Sequence, residues 1–110
     1  SPYFFITLIW YPCFENLFSI IRKLYLSLSP FTPDNNHLHQ LFFNLVNTKI
    51  FKSKIISNNF SSLVINFFNF NILFFAAINP YNTIYQIKLI LFSIVCYFLA
   101  FLVLKKINKI

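Results

Sequence analysis

From Leu89 to Leu104 the chain runs sixteen residues without a charged side chain. Extended back to Ile84 the stretch is 21 residues long, with Lys88 as its one charge. A helix crosses a bilayer in about 20 residues at 1.5 Å rise each. Two further stretches, Tyr3 to Ile21 and Phe60 to Ile78, are 19 residues long and comparably apolar. The whole chain has 110 residues, 58% of them hydrophobic and 10% charged. Soluble domains are about half apolar and about a quarter charged. Eleven charged residues cannot clothe a soluble domain of this size, and disorder needs low hydrophobicity. The sequence therefore predicts an all-α membrane protein with three transmembrane helices and no separate soluble domain.

The charges predict an orientation. Arg22, Lys23, Lys49, Lys52 and Lys54 lie between the first two spans, and Lys105, Lys106 and Lys109 follow the third. The short segment from Asn79 to Thr83 carries no charge. Basic residues beside span ends stay on the cytoplasmic side. The N-terminus is thus expected outside, the loop 22–54 inside, the turn near Pro80 outside and the C-terminus inside. Lys88 alone disagrees, and it can snorkel to the surface. The net charge of +7 then reports topology rather than a nucleic-acid site. Met and Gly are absent and the chain opens on Ser1-Pro2, which reads as a processed chain or a piece of a longer one. Cys13 and Cys96 sit in apolar runs with no CxxC or His-Cys grouping, and read as small buried hydrophobes.

Span one carries two residues a simple apolar rod would not. Pro12 cannot donate a helical hydrogen bond, and Glu15 is ionisable at membrane depth, where such a group faces a bundle interior or a wet cavity. A break near Tyr11 accommodates both. Pro12 then opens a second half-helix, and Glu15 lies in its first turn beside the positive dipole end. A plain kink is the alternative. In span two, Ser62, Asn66 and Asn69 share one helical face, which suits packing against other helices.

The loop holds the densest polar chemistry: Arg22, Lys23, Asp34, His37, His39 and Gln40. Pro33 pushes Thr32 out of helical geometry, so Asp34 can cap a helix starting near Asn35 and lying on the inner membrane face. On that helix His37 and His39 point about 200° apart, a poor spacing for one metal ion. An arginine fork and imidazoles beside a membrane suit phosphate oxygens. Two surface histidines on an interfacial helix remain the plainer reading.

The run from Pro12 through Glu15 to Arg22-Lys23, followed by Ser29-Pro30-Phe31-Thr32-Pro33-Asp34 and His37-Leu38-His39-Gln40-Leu41, resembles the C-terminal part of the polyprenyl-phosphate sugar-1-phosphate transferases (glycosyltransferase family 4). That family shows a Pro, an acidic residue two or three positions on, an Arg pair, Ser-Pro-Phe-x-x-Asp, and a His-rich stretch. Residues 12–43 carry the resemblance, which is nearer to the GlcNAc-1-phosphate branch than to the lipid I translocase. It implies a multi-pass enzyme of the bacterial cytoplasmic membrane. That enzyme moves a sugar-1-phosphate from a UDP-sugar to undecaprenyl phosphate, releases UMP, and serves cell-envelope polysaccharide synthesis.

The resemblance also implies roles. His37, His39 and Arg22 bind substrate around the nucleotide-sugar diphosphate. Lys23 stands where a second Arg would be, and Gln40 where a third His is common. Glu15 matches the acidic position of the broken helix, and Asp34 the one before the histidines. The family's paired Asp and its magnesium-binding Asp have no counterpart here, because the chain has two acidic residues in all. The resemblance therefore implies a segment from the C-terminal side of a larger transferase, inactive alone. Its Mg2+ would be held by residues outside it, and its missing N-terminal helices would be its partners. A small non-enzymatic membrane protein or an inactive gene remnant is the competing reading.

Overall fold

The computed structural model describes residues 2–29, 31 and 37–108. Five helices follow one another there: α1 (Pro2–Leu8), α2 (Trp10–Tyr25), α3 (Leu38–Lys49), α4 (Lys54–Ile78) and α5 (Thr83–Asn108). No strand occurs among the described residues. Helices α4 and α5 are each long and apolar enough to cross a membrane. Helices α1 and α2 reach that length only together, and they meet at a 72° bend. The pair is therefore a broken span or a re-entrant segment, not the straight crossing a count of apolar residues suggests. The second span also starts earlier than Phe60. Its 25 residues make about 37 Å of helix, longer than a hydrocarbon core of about 30 Å.

Helices α4 and α5 form an antiparallel hairpin about the turn at Asn79 to Asn82. Helix α1 packs on both near that turn, and α3 packs on both at the opposite end. Helix α2 runs between, held off α5 by a layer of rings. Phe14 meets Tyr97 edge-on at 4.8 Å, and Phe18 meets Phe101 at 4.9 Å. The buried cluster joins Trp10, Leu41, Ile72, Tyr97, Phe101 and Leu104. Leu41 and Val46 of α3 are buried against the bundle.

The interior is unusually polar and the exterior apolar. Thr7, Glu15, Ser19, Ser57, Ser61, Gln86 and Ser93 are buried, while Phe5, Leu63, Phe67, Phe70, Leu91, Phe92 and Leu102 are exposed. On α5 the inward residues Gln86, Ser93, Tyr97 and Leu104 recur at seven, four and seven positions, one helical face. A face that collects the hydroxyls and amides while the other faces carry Leu, Phe and Val suits a hydrocarbon solvent. Cys13 departs from expectation: it is exposed on this apolar exterior, whereas Cys96 is half-buried. The basic residues Arg22 and Lys105 converge on one ring, with their cationic groups 4.9 and 5.5 Å from the centre of Phe101.

The chain lacks glycine, and one consequence is visible at the end of α2. Leu28 N–H bonds Lys23 C=O and Ser27 N–H bonds Leu24 C=O, the paired bonds of a left-handed helix stop. Ser27 holds the positive φ of 60° where glycine usually stands, at a cost of about 1 kcal/mol.

At the other end of the bundle, the last carbonyls of α4 need donors. Ala76 C=O would bond the N–H four residues on, but that residue is Pro80, which has none. Gln86 Nε2 supplies it at 2.9 Å, bonds Asn79 C=O at 3.0 Å, and leaves Oε1 to accept from Thr7 Oγ1 at 3.0 Å. Gln86 is fully buried. Replacing it by leucine should cost about 2–3 kcal/mol by stranding these groups. Reversible unfolding of Q86L in bicelles measures that loss.

Candidate functional site

The site begins at the helix break. Pro12 has no N–H, and its ring clashes with the carbonyl four residues back, that of Leu8. Helix α1 ends at Leu8, and α2 restarts at Trp10. Pro12 lies in the first turn of α2, where its missing N–H costs no hydrogen bond. The break is thus at Ile9 rather than near Tyr11, because the steric demand of a proline falls one turn upstream of it.

That shift moves Glu15 into the second turn of α2, not the first. It caps a different helix. Glu15 is buried, and its Oε1 accepts the N–H of Leu38 at 2.9 Å, one of the free donors opening α3. The same oxygen accepts from His37 Nδ1 at 2.9 Å and from the Tyr97 hydroxyl at 2.6 Å. An ionised carboxylate only accepts, so Nδ1 carries the proton and Nε2 is left for other partners. The positive end of the α3 dipole adds to the stabilisation of the charge. Glu15 therefore joins α2, α3 and α5 at one point.

Helix α3 starts at Leu38 with His37 at its N-cap, not near Asn35. Asp34 lies outside the described residues. The N-cap backbone of His37 is extended, with φ −64° and ψ 149°. Gln40 Oε1 accepts the His37 N–H at 3.2 Å, closing the turn three residues on. Since His37 precedes the helix, helical spacing does not separate it from His39. The two rings stack at 5.8 Å, 7° from parallel. The expectation that they point to different sides is corrected.

A cavity of about 240 Å³ lies against them, lined by Tyr11, Pro12, Glu15, Asn16, His37 and His39. The Tyr11 hydroxyl lies against the Glu15 carboxylate, and both are buried beside the cavity. Behind Tyr11 is an apolar cavity of about 220 Å³ bounded by Trp10, Phe42, Phe68, Tyr97 and Leu104. Arg22 stands apart from the histidines. It is on the same face of α2 as Glu15, about 10 Å further along the axis, with its guanidinium 4.9 Å from the ring centres of Phe18 and Phe101. Lys23 beside it is half-buried. The structure thus gathers Glu15, His37, His39 and Gln40, and sets Arg22 and Lys23 nearer the basic end.

Tyr97 and Tyr11 are the site members that motif spacing does not single out. The polar register Gln86, Ser93, Tyr97 on span three was the signal available for Tyr97. In span two the buried polar face is Ser57 and Ser61, while Ser62 and Asn66 are exposed and Asn69 is half-buried. Among the described residues no three His, Cys, Asp or Glu side chains come together as a metal site. Glu15, the one carboxylate among them, already receives three donors, and this donor set does not fit a magnesium ion. Comparison with protein-family models, curated proteins and solved structures returned no match.

Proposed function

We propose that this chain is the substrate-binding, C-terminal part of a multi-pass transferase of the bacterial cytoplasmic membrane. The enzyme moves a sugar-1-phosphate, of the N-acetylhexosamine type, from a UDP-sugar to undecaprenyl phosphate for envelope polysaccharide synthesis. A lipid phosphate oxygen attacks the sugar-bearing phosphorus. The bridging P–O bond breaks, and UMP leaves with its electron pair. His37 and His39 hold diphosphate oxygens as imidazolium cations, in which Nε2 also donates, and Arg22 supplies a fork for phosphate nearer the basic end. The apolar cavity behind Tyr11 takes the first isoprene units of the acceptor. The N-terminus is outside and the C-terminus inside. Magnesium, which gathers charge in such transfers, is held by acidic residues outside this segment, and no step here runs through it.

The observation that carries this reading is the contact of His37 with the buried Glu15 carboxylate. A histidine pair of an idle surface would have no reason to be tied to a buried carboxylate beside a cavity. Its direct test is radiolabelled UDP-N-acetylglucosamine supplied with undecaprenyl phosphate to membranes carrying the full-length gene product. Labelled lipid with equimolar UMP is expected. Retention of all label in the nucleotide sugar would refute the assignment.

A further inference from the structure

A second polar cavity, of about 360 Å³, lies between α3 and the first turns of α4. It falls within the range of small-molecule sites, roughly 300–1,000 Å³. Helix α4 lines it with Lys54, Asn58, Ser61 and Ser62, spaced four, three and one positions apart on one face. Helix α3 supplies His39, Gln40 and Phe43. His39 also borders the Glu15–His37 cavity, so the two spaces meet at its ring.

Ser61 marks this cavity as built for a ligand. It is 3% exposed, and its hydroxyl is buried without a hydrogen-bond partner. Helical hydroxyls have an easy remedy, the carbonyl four residues back. Thr48 and Ser93 both take it, bonding the Asn44 and Leu89 carbonyls at 2.7 and 2.8 Å. Ser61 does not. A buried hydroxyl without a partner is costly, and here it borders an open polar space.

We infer that this cavity seats the sugar of a sugar phosphate, with its phosphoryl group toward His39 and Lys54. A carbohydrate offers donors and acceptors together, as the Asn58 amide and the Ser61 and Ser62 hydroxyls do. Inorganic phosphate, with one or two O–H donors on a small tetrahedral ion, reaches fewer of those side chains than a sugar ring does. The cation of Lys54 and the positive end of the α4 dipole favour the phosphoryl charge, and Phe43 gives the sugar's C–H face an apolar wall. The inference rests on the transferase reading: the loop histidines take the diphosphate and this cavity takes the sugar attached to it.

The test is calorimetric titration of the 110-residue chain in lipid nanodiscs with N-acetylglucosamine 1-phosphate, inorganic phosphate and UMP. The sugar phosphate is expected to bind more tightly than inorganic phosphate. S61A and N58A should each weaken it roughly fivefold, the loss of one neutral hydrogen bond, and leave inorganic phosphate unchanged. K54Q should weaken both. Since the Ser61 hydroxyl bonds nothing in the folded chain, S61A should keep or raise thermal stability. Wild-type sugar-phosphate affinity in S61A and N58A overturns the seat, as does lost binding accompanied by lost stability. So does no preference over inorganic phosphate, or UMP showing the same dependence on Ser61. H37A separates the two proposals: unchanged phosphate binding in that variant counts against the transferase reading, whatever S61A does.

Discussion

Replacing Glu15 by alanine should destabilise the bundle by about 3 kcal/mol, roughly 1 kcal/mol for each of the three donors left without an acceptor. Three donors end on one oxygen: His37 Nδ1, Leu38 N–H and the Tyr97 hydroxyl. All lose their acceptor in E15A. Tyr97 is eight residues, about 12 Å, from Lys105 along α5. A graded series separates the parts. Y97F removes one bond and should cost about 1 kcal/mol. E15Q keeps an oxygen acceptor while losing the charge, and should fall between Y97F and E15A. Reversible unfolding in bicelles gives the order, and backbone hydrogen exchange at Leu38 reports whether α3 loses its cap. An E15A variant within 1 kcal/mol of wild type would show that the carboxylate does not anchor the loop.

The second large effect concerns catalysis, under the transferase reading. His37→Ala in the complete enzyme should lower the rate of UMP release by roughly 10²–10³, the usual result of removing one preorganised donor from a developing phosphoryl charge. Its Nδ1 is committed to Glu15, so only Nε2 can serve the substrate, and its ring cannot turn freely. His39 is exposed and has no such anchor. H39A should therefore cost less than H37A. Because Glu15 acts on catalysis through His37, and a glutamine keeps an acceptor for Leu38 N–H and Tyr97, E15Q combined with H37A should release UMP no more slowly than H37A alone. Steady-state UMP release from the four proteins settles this. Equal rates in H37A and wild type would remove His37 from the mechanism.

Much of this arrangement was legible in the residues, for identifiable reasons. The uncharged run from Leu89 to Leu104 points to a long helix, because only a helix satisfies its backbone within a single segment in hydrocarbon. Pro12 announces a broken helix, and Glu15 a polar interior, since both are costly elsewhere. The finer points depended on details that spacing does not carry. Proline's clash lies with Leu8, which puts the break one turn earlier. His37 caps α3 instead of joining it, and one residue of boundary turns two opposed imidazoles into a stacked pair. Tyr97, 82 positions from Glu15, reaches it only through packing of α5 on α2. Likewise Ser61 is buried and its neighbour Ser62 exposed, though both border the cavity beside α3, a difference of depth that spacing does not carry.

The central claim is that Glu15 holds His37 with Nε2 presented to a nucleotide-sugar diphosphate. It is tested most directly by nitrogen NMR of the imidazoles during titration with UDP-N-acetylglucosamine. The chain has two histidines, and H39Q assigns them. The account predicts a saturable shift of His37 Nε2, with the Nδ1 proton still bonded to Glu15 throughout. Histidine resonances unmoved at saturating nucleotide sugar, or a His37 Nδ1 proton exchanging freely with solvent, would contradict it.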